Sequence, residues 1–219
     1  MELIKDFLHL ISSPEGIKQI ISWGGILVLI GIVFAETGLL VGFFLPGDSL
    51  LFISGVVASD GTLSLWQLLI FLSMAAIVGD SVGYAIGRKA GQALYSRPQS
   101  RWFRRDYLLR TRAFYDHYGG MTIILARFIP FARTFAPTVA GIGEMAYARF
   151  LAFNVVGGIL WVFSMVLMGY FFGKIPVVER NLEKVVVLIV FLSVLPVAIH
   201  ALKAHLASRA ARSAAPEQG

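Results

Sequence analysis

A chain of 219 residues that is 57% hydrophobic and 15% charged, with a mean hydropathy of +0.76, is too apolar for a soluble globule, where roughly 25% of residues are charged; its missing solvent is lipid. With no cysteine and four scattered histidines, disulfide scaffolds, thiolate metal sites and cysteine nucleophiles are excluded, and no metal or cofactor is expected. The net charge of +6 fits basic cytoplasmic loops meeting anionic headgroups better than it fits nucleic acid.

Glu2, Asp6 and Glu15 spoil a basic leader, so no secretory signal is expected at the N-terminus. A short amphipathic stretch from Pro14 to Ser22 leads to Trp23-Gly24-Gly25. From Gln19 to Ser59 only Glu36 and Asp48 are charged, and Gly24, Gly25, Gly31, Gly38, Gly42, Pro46 and Gly47 interrupt the run. A stretch so broken reads as a re-entrant hairpin, two half-helices that dip to mid-membrane and return. Leu63 to Gly87 then has the ~20 residues of a full span, with Asp80 as its charge. Placed near the cytoplasmic end of that span, Asp80 reads as an interfacial residue or a partner of Arg88.

Arg88 to Arg112 is a basic loop, with Arg88, Lys89, Arg97, Arg101, Arg104, Arg105, Arg110 and Arg112 against Asp106, and is expected in the cytoplasm. After an amphipathic stretch from Leu108 to His117, a second broken segment runs from Gly119 to Ala148. It carries Arg127, Arg133 and Glu144, and is interrupted by Pro130, Pro137, Gly141 and Gly143. Phe150 to Gly173 is an uncharged span, and Val185 to Leu202 a third. Residues 206–219 read as a basic, disordered tail. The basic loop and the tail both lie in the cytoplasm only if 119–148 enters and leaves on that side, which favours a hairpin there.

The order of features repeats. Trp23-Gly24-Gly25 and Tyr118-Gly119-Gly120 each follow an amphipathic stretch, precede a broken segment and lead to a full span. The two spans run in opposite directions. The expected fold is therefore an all-α integral membrane protein built as an inverted repeat (about 14–87 and 108–173). Two opposed re-entrant hairpins, about three full spans and amphipathic interfacial helices make one membrane-embedded domain over 1–205.

Charge inside a bilayer costs ~2.5–3.5 kcal/mol per residue at mid-depth, so the charges of the broken segments need a role or a partner. They sort by sign, Glu36 and Asp48 in the first and Arg127 and Arg133 in the second. A guanidinium holds phosphate oxygens in a fork. Pro46-Gly47-Asp48-Ser49 and Pro137-Thr138 read as helix starts whose N–H groups complete an anion seat, with Ser49 and Thr138 as further donors. Glu36 can take up and release a proton; Asp48 is either its companion or a helix cap. The plainer alternative is that the acid–arginine pairs only brace the hairpins together. Asp80 and Glu144 rank below the other four, Glu144 being close enough to the hairpin's exit to snorkel to water.

Phe34-Ala35-Glu36-Thr37-Gly38, Leu45-Pro46-Gly47-Asp48, Gly79-Asp80 with Gly83-Tyr84 and Gly87-Arg88, and Ala126-Arg127-Phe128-Ile129-Pro130-Phe131-Ala132-Arg133-Thr134 with Ala140-Gly141 resemble the DedA family, the bacterial branch of the VTT-domain membrane proteins. The resemblance covers roughly residues 15 to 200. It implies two opposed hairpins and the return of undecaprenyl phosphate, or movement of a phospholipid such as phosphatidylethanolamine, between leaflets of the inner membrane. It also implies coupling to a proton or sodium gradient, essential acids at Glu36 and Asp48, and essential arginines at Arg127 and Arg133. The expected protein is thus a multi-pass lipid translocase and not an enzyme, its C-terminus cytoplasmic and its oligomeric state, homo-oligomer included, left open. Three rivals stand beside it: a proton-coupled small-solute carrier, a noncatalytic assembly factor, and a lipid phosphatase. The last is disfavoured because no histidine accompanies the arginines.

Overall fold

The computed structural model describes residues 14–39, 47–95 and 120–175, with 181 and 184. The expected last span (185–202), the tail and most of the basic loop lie outside the described residues. All the described elements are helices: α1 (Pro14–Gly38), α2 (Gly47–Ser59), α3 (Leu65–Tyr95), α4 (Met121–Ala126), α5 (Pro130–Ile142) and α6 (Tyr147–Phe172). Three of these are long and apolar enough to cross a membrane, Gly16–Gly38, Leu65–Ala93 and Tyr147–Phe172.

The first broken segment differs in detail from the expected pair of half-helices. α1 is 25 residues long, but Gly25 breaks it with φ 54° and ψ −146°, a conformation that glycine reaches without a Cβ penalty. Residues 14–24 and 26–38 are therefore separate helical pieces, and the second is followed by the 13-residue α2. In the second segment the break falls at 127–129. Ile129 is extended (φ −115°, ψ 111°) and Pro130 opens α5, as expected where a proline disfavours the helical conformation of its predecessor. Pro137, expected at a helix start, instead lies inside α5; Pro130 already provides the start about two turns earlier. α3 also outruns its expected end at Gly87, continuing through Arg88 and Lys89 to Tyr95, because a change from apolar to basic residues ends a hydrophobic run without ending a helix.

Packing is reciprocal between the two halves. The most extensive contacts are those of α3 with α5 and of α2 with α6, so each short helix lies on the long helix of the other half. Both crossings depend on glycine pairs. A Cβ at Gly55 would come within 2.1 Å of the Val166 carbonyl oxygen, and one at Gly169 within 2.0 Å of that of Phe52; at the other crossing a Cβ at Gly87 would meet the Thr138 oxygen at 2.0 Å and one at Gly141 the Tyr84 oxygen at 2.1 Å. Backbone-to-backbone approach of this kind is how helices associate where lipid removes the hydrophobic drive. Gly141→Ala is expected to destabilise the protein by at least 1–3 kcal/mol, roughly the cost of overpacking, read as a lowered thermal midpoint in detergent. Gly31→Ala, with nothing within 4 Å, is the control and should be neutral or slightly stabilising.

The outward faces are apolar. On α3, Trp66, Ile70, Met74 and Val78 form an exposed row, and on α6 Val156, Ile159, Leu160 and Phe171 are likewise exposed, a surface suited to lipid rather than water. Inside lie Leu68, Leu72 and Ala76 of α3 against Leu51, Ile53, Val162 and Val166.

Candidate functional site

The helix termini and breaks converge on a buried cluster of charge. Gly38 and Gly79 let the end of α1 lie on α3: a Cβ on Gly38 would meet the Gly79 carbonyl oxygen at 2.9 Å. Glu36, two residues earlier, is thereby turned inward and is 1% exposed. Its carboxylate lies against the first residue of α2, where a Cβ at Gly47 would be 1.7 Å from Glu36 Oε2. Asp48 occupies the first turn of α2, so both acids sit at the positive end of one helix.

Arg133, in the first turn of α5, bridges them. Its Nη2 donates to Glu36 Oε1 at 2.6 Å and its Nη1 to Asp48 Oδ1 at 2.5 Å. Trp161 of α6 completes this arrangement: its Nε1 donates to Asp48 Oδ1 at 2.8 Å, and its ring lies beneath the guanidinium, 4.6 Å from ring centroid to Arg133 Cζ, a cation–π contact. Asp48 is therefore more than a cap, since its side chain is engaged by two other helices. Ser49 is buried beside it.

Arg127, at the break that ends α4, forms a second, adjacent arrangement. Its Nη2 donates to Asp80 Oδ2 at 2.6 Å and to Asn154 Oδ1; Asn154 Nδ2 donates to the Ile77 carbonyl at 3.0 Å. The guanidinium rests on Gly157 and Gly158 of α6. The expectation that Asp80 lies near a helix end and pairs with Arg88 is corrected here. Because α3 runs on to Tyr95, Asp80 is at its middle, 1% exposed and paired with Arg127, while Arg88 is exposed.

Thr138 and Glu144 stand apart from the cluster. Thr138 lies at the crossing with α3, against Gly83 and Gly87, with Pro137 inside a continuous helix and so with no helix N-terminus to complete. Glu144 is on the exposed turn before α6, in the left-handed conformation at φ 55°. Two participants, Asn154 and Trp161, are not among the residues expected from sequence. Both belong to a buried row of α6, Asn154-Gly157-Gly158-Trp161, at the i, i+3, i+4, i+7 spacing that defines one helix face.

Two features give the cluster its chemistry. Among the described residues the cluster sets three acids, Glu36, Asp48 and Asp80, against two guanidiniums, a formal excess of one negative charge that one proton or one monovalent cation would balance. Hydrogen bonding is also incomplete: Arg127 Nε and Nη1, Arg133 Nε, Glu36 Oε2 and Asp80 Oδ1 are buried with no partner among the described residues. Buried polar atoms of native interiors are nearly always hydrogen-bonded, so these positions suit a ligand, an ion or water.

Gly47→Ala tests the contact between α1 and α2. The added methyl meets the flexible end of Glu36, so the backbone can stay while the carboxylate is pushed from Arg133. A loss of activity of about tenfold or more, the equivalent of one hydrogen bond to a charged group, is expected with a small shift in thermal midpoint; unchanged activity would remove Glu36 from the site.

Comparison with known proteins places these residues in a family. The VTT domain family matches residues 45–171, from just before Asp48 to beyond Trp161. The chain is 50% identical over 188 residues to Protein DedA of Escherichia coli K12, covering 84% of this chain and 86% of the relative. It is 47% identical over 170 residues to an uncharacterized membrane protein of Mycobacterium leprae (78% and 76% covered), and 39% identical over 153 residues to the inner membrane protein YqjA of E. coli K12 (68% of each). No solved structure matches the chain. With the domain match extending over most of the described helices and half of all aligned positions shared with Protein DedA, the chain belongs to the DedA family of VTT-domain membrane proteins.

Proposed function

We propose that this protein is a multi-pass inner-membrane translocase that moves a phosphate-bearing lipid between leaflets, undecaprenyl phosphate or a phospholipid such as phosphatidylethanolamine. The observation that carries the reading is the pair of buried arginines, at the junction of two broken helical segments, with N–H donors that no described residue accepts. Donors that the described residues leave without an acceptor are open to a ligand. In a water-poor interior such donors suit the oxygens of a phosphate group.

The reciprocal packing of α2 on α6 and α5 on α3 supports an inverted repeat, with the two broken segments, 19–59 and 119–148, as opposed re-entrant hairpins. Alternating access then consists of one half rocking against the other around the cluster. The excess acid supplies the coupling: uptake of one proton or sodium ion neutralises the group and loosens Arg133 from Glu36, and its release restores the pair. The C-terminus lies in the cytoplasm, following the basic residues after 202. On this reading the protein binds and exchanges the lipid, which leaves chemically unchanged.

Vesicles reconstituted with the protein and a labelled undecaprenyl phosphate should show leaflet exchange that protein-free vesicles lack. An imposed proton or sodium gradient should change its rate. Exchange no faster than in protein-free vesicles, for both the isoprenoid phosphate and phospholipids, would overturn the proposal; flux of a water-soluble ion without added lipid substrate would replace it with a small-solute carrier.

A further inference from the structure

Beyond the cluster, the C-terminal half of α3 carries a polar face within the apolar protein. Ser81, Tyr84, Arg88 and Gln92 recur at helical spacing and, with Lys89 and Tyr147 of α6, line a cavity of about 440 Å³. Its wall is fixed. Tyr84 donates its hydroxyl to the Met145 carbonyl, stacks on Phe150 at 4.6 Å between centroids and meets Tyr147 at 5.4 Å. Arg88 lies near the same hydroxyl and lines the cavity, where Lys89 adds a second cation. Glu144, on the α5–α6 turn, also faces Tyr84 but is outside the lining.

Two further observations give the cavity a direction. Eight residues separate Asp80 from Arg88, about 12 Å along a helix; with Asp80 near mid-membrane, Arg88 lies close to the edge of a hydrocarbon core whose half-thickness is about 15 Å. That is the depth of lipid phosphates, and basic pockets between transmembrane helices take anionic headgroups there. The inner end of the cavity also reaches the cluster. Ser81 Oγ accepts from Asn154 Nδ2 at 3.5 Å, and Asn154 Oδ1 accepts from Arg127. Two hydrogen bonds therefore connect the cavity lining to the buried guanidinium.

We propose that this cavity is a second anion site, a vestibule in which Arg88, Lys89 and the Tyr147 hydroxyl hold a phosphate group at the membrane interface before it passes to Arg127, with Tyr84 fixed by Met145 as part of the wall. The hand-off rests on the translocase reading; the binding site itself does not. Its ligand is a phosphate monoester, as carried by a lipid headgroup. Ser81 and Asn154 lie on the way inward, and replacement of the Asn154–Arg127 hydrogen bond by one from Arg127 to phosphate is the step that joins the two sites.

The test uses the full chain in phosphatidylcholine nanodiscs, titrated with phosphatidic acid in one arm and inorganic phosphate in the other, with bound ligand counted by native mass spectrometry. Arg88→Gln with Lys89→Gln should weaken phosphatidic acid binding about 30-fold, the equivalent of two interfacial cations. Arg88→Lys with Lys89→Arg should retain it. Both residues are exposed, so an unchanged thermal midpoint is expected in each. A photoreactive phosphatidic acid should crosslink within 84–92 or at Tyr147. Wild-type affinity in the Gln pair, or crosslinks elsewhere, would overturn the site, and equal saturation by inorganic phosphate would overturn the lipid assignment. Lipid exchange in vesicles separates the two readings. Exchange by wild type with undiminished binding in the Gln pair sinks the vestibule alone, and binding lost in the Gln pair with no exchange by wild type sinks the translocase alone.

Discussion

Arg133→Ala is expected to abolish lipid exchange and to destabilise the protein by about 3–5 kcal/mol, the usual cost of removing one partner from a buried ion pair. The size follows from geometry. One guanidinium is the shared counter-charge of two carboxylates, Glu36 through Nη2 and Asp48 through Nη1, and both acids are buried. Loss of both stability and transport would not by itself distinguish a site from a brace. The decisive variant is Arg133→Met with Glu36→Gln and Asp48→Asn, which removes all three charges at once. Buried ion pairs replaced by uncharged groups of similar volume often regain stability, so this variant should recover most of its thermal midpoint in detergent while remaining unable to exchange lipid. Recovery of exchange would mean that the charges only held the helices together. Arg133→Lys should fall between, because an ammonium lacks the planar fork that reaches two carboxylates and stacks on Trp161.

Four members of the cluster are legible in the sequence because charge within an apolar run is conspicuous. Glu36, Asp48, Arg127 and Arg133 interrupt stretches that otherwise call for lipid, and glycine and proline beside them mark the breaks. What the sequence conceals is of two kinds. The extent of α3 is hidden because hydropathy reports the edge of the bilayer rather than the end of a helix. Arg88 and Lys89 stop the apolar run, yet hydrogen bonding continues to Tyr95, which puts Asp80 at the middle of the helix rather than near its end. Asn154 and Trp161 are hidden because neither is charged. Their signal is periodic: a polar amide, two glycines and an indole on one face of a span that is otherwise mostly Val, Leu, Ile, Phe and Met. Small residues on such a face mark where another element approaches closely, and here that element is the Arg127 side chain. Thr138 illustrates the opposite error, in which a proline resembles a helix start although Pro130 already supplies one.

Asp80→Ala is expected to cost about as much as the loss of Arg133, again roughly 3–5 kcal/mol, and the reason defines what Asp80 does. Arg127 is 1% exposed, and its hydrogen-bond partners are Asp80 and Asn154. Without Asp80 the nearest counter-charges are those already held by Arg133. Removing Arg127 alone leaves Asp80 equally stranded. The two changes should therefore be strongly non-additive: Asp80→Leu combined with Arg127→Met should cost about 3 kcal/mol less than the sum of the single variants, at the upper end of couplings between contacting residues. A sum obeyed within about 0.5 kcal/mol would show no pair. Function should separate from stability in Asp80→Asn, which keeps the shape and one acceptor but withdraws the charge that holds Arg127 toward α3. If Asp80 competes with phosphate for the guanidinium, this variant should bind lipid phosphate more tightly than wild type yet exchange it more slowly, because the resting pair that releases the headgroup is weakened. Tighter binding with faster exchange, or no change in either, would leave Asp80 as a structural counter-ion alone.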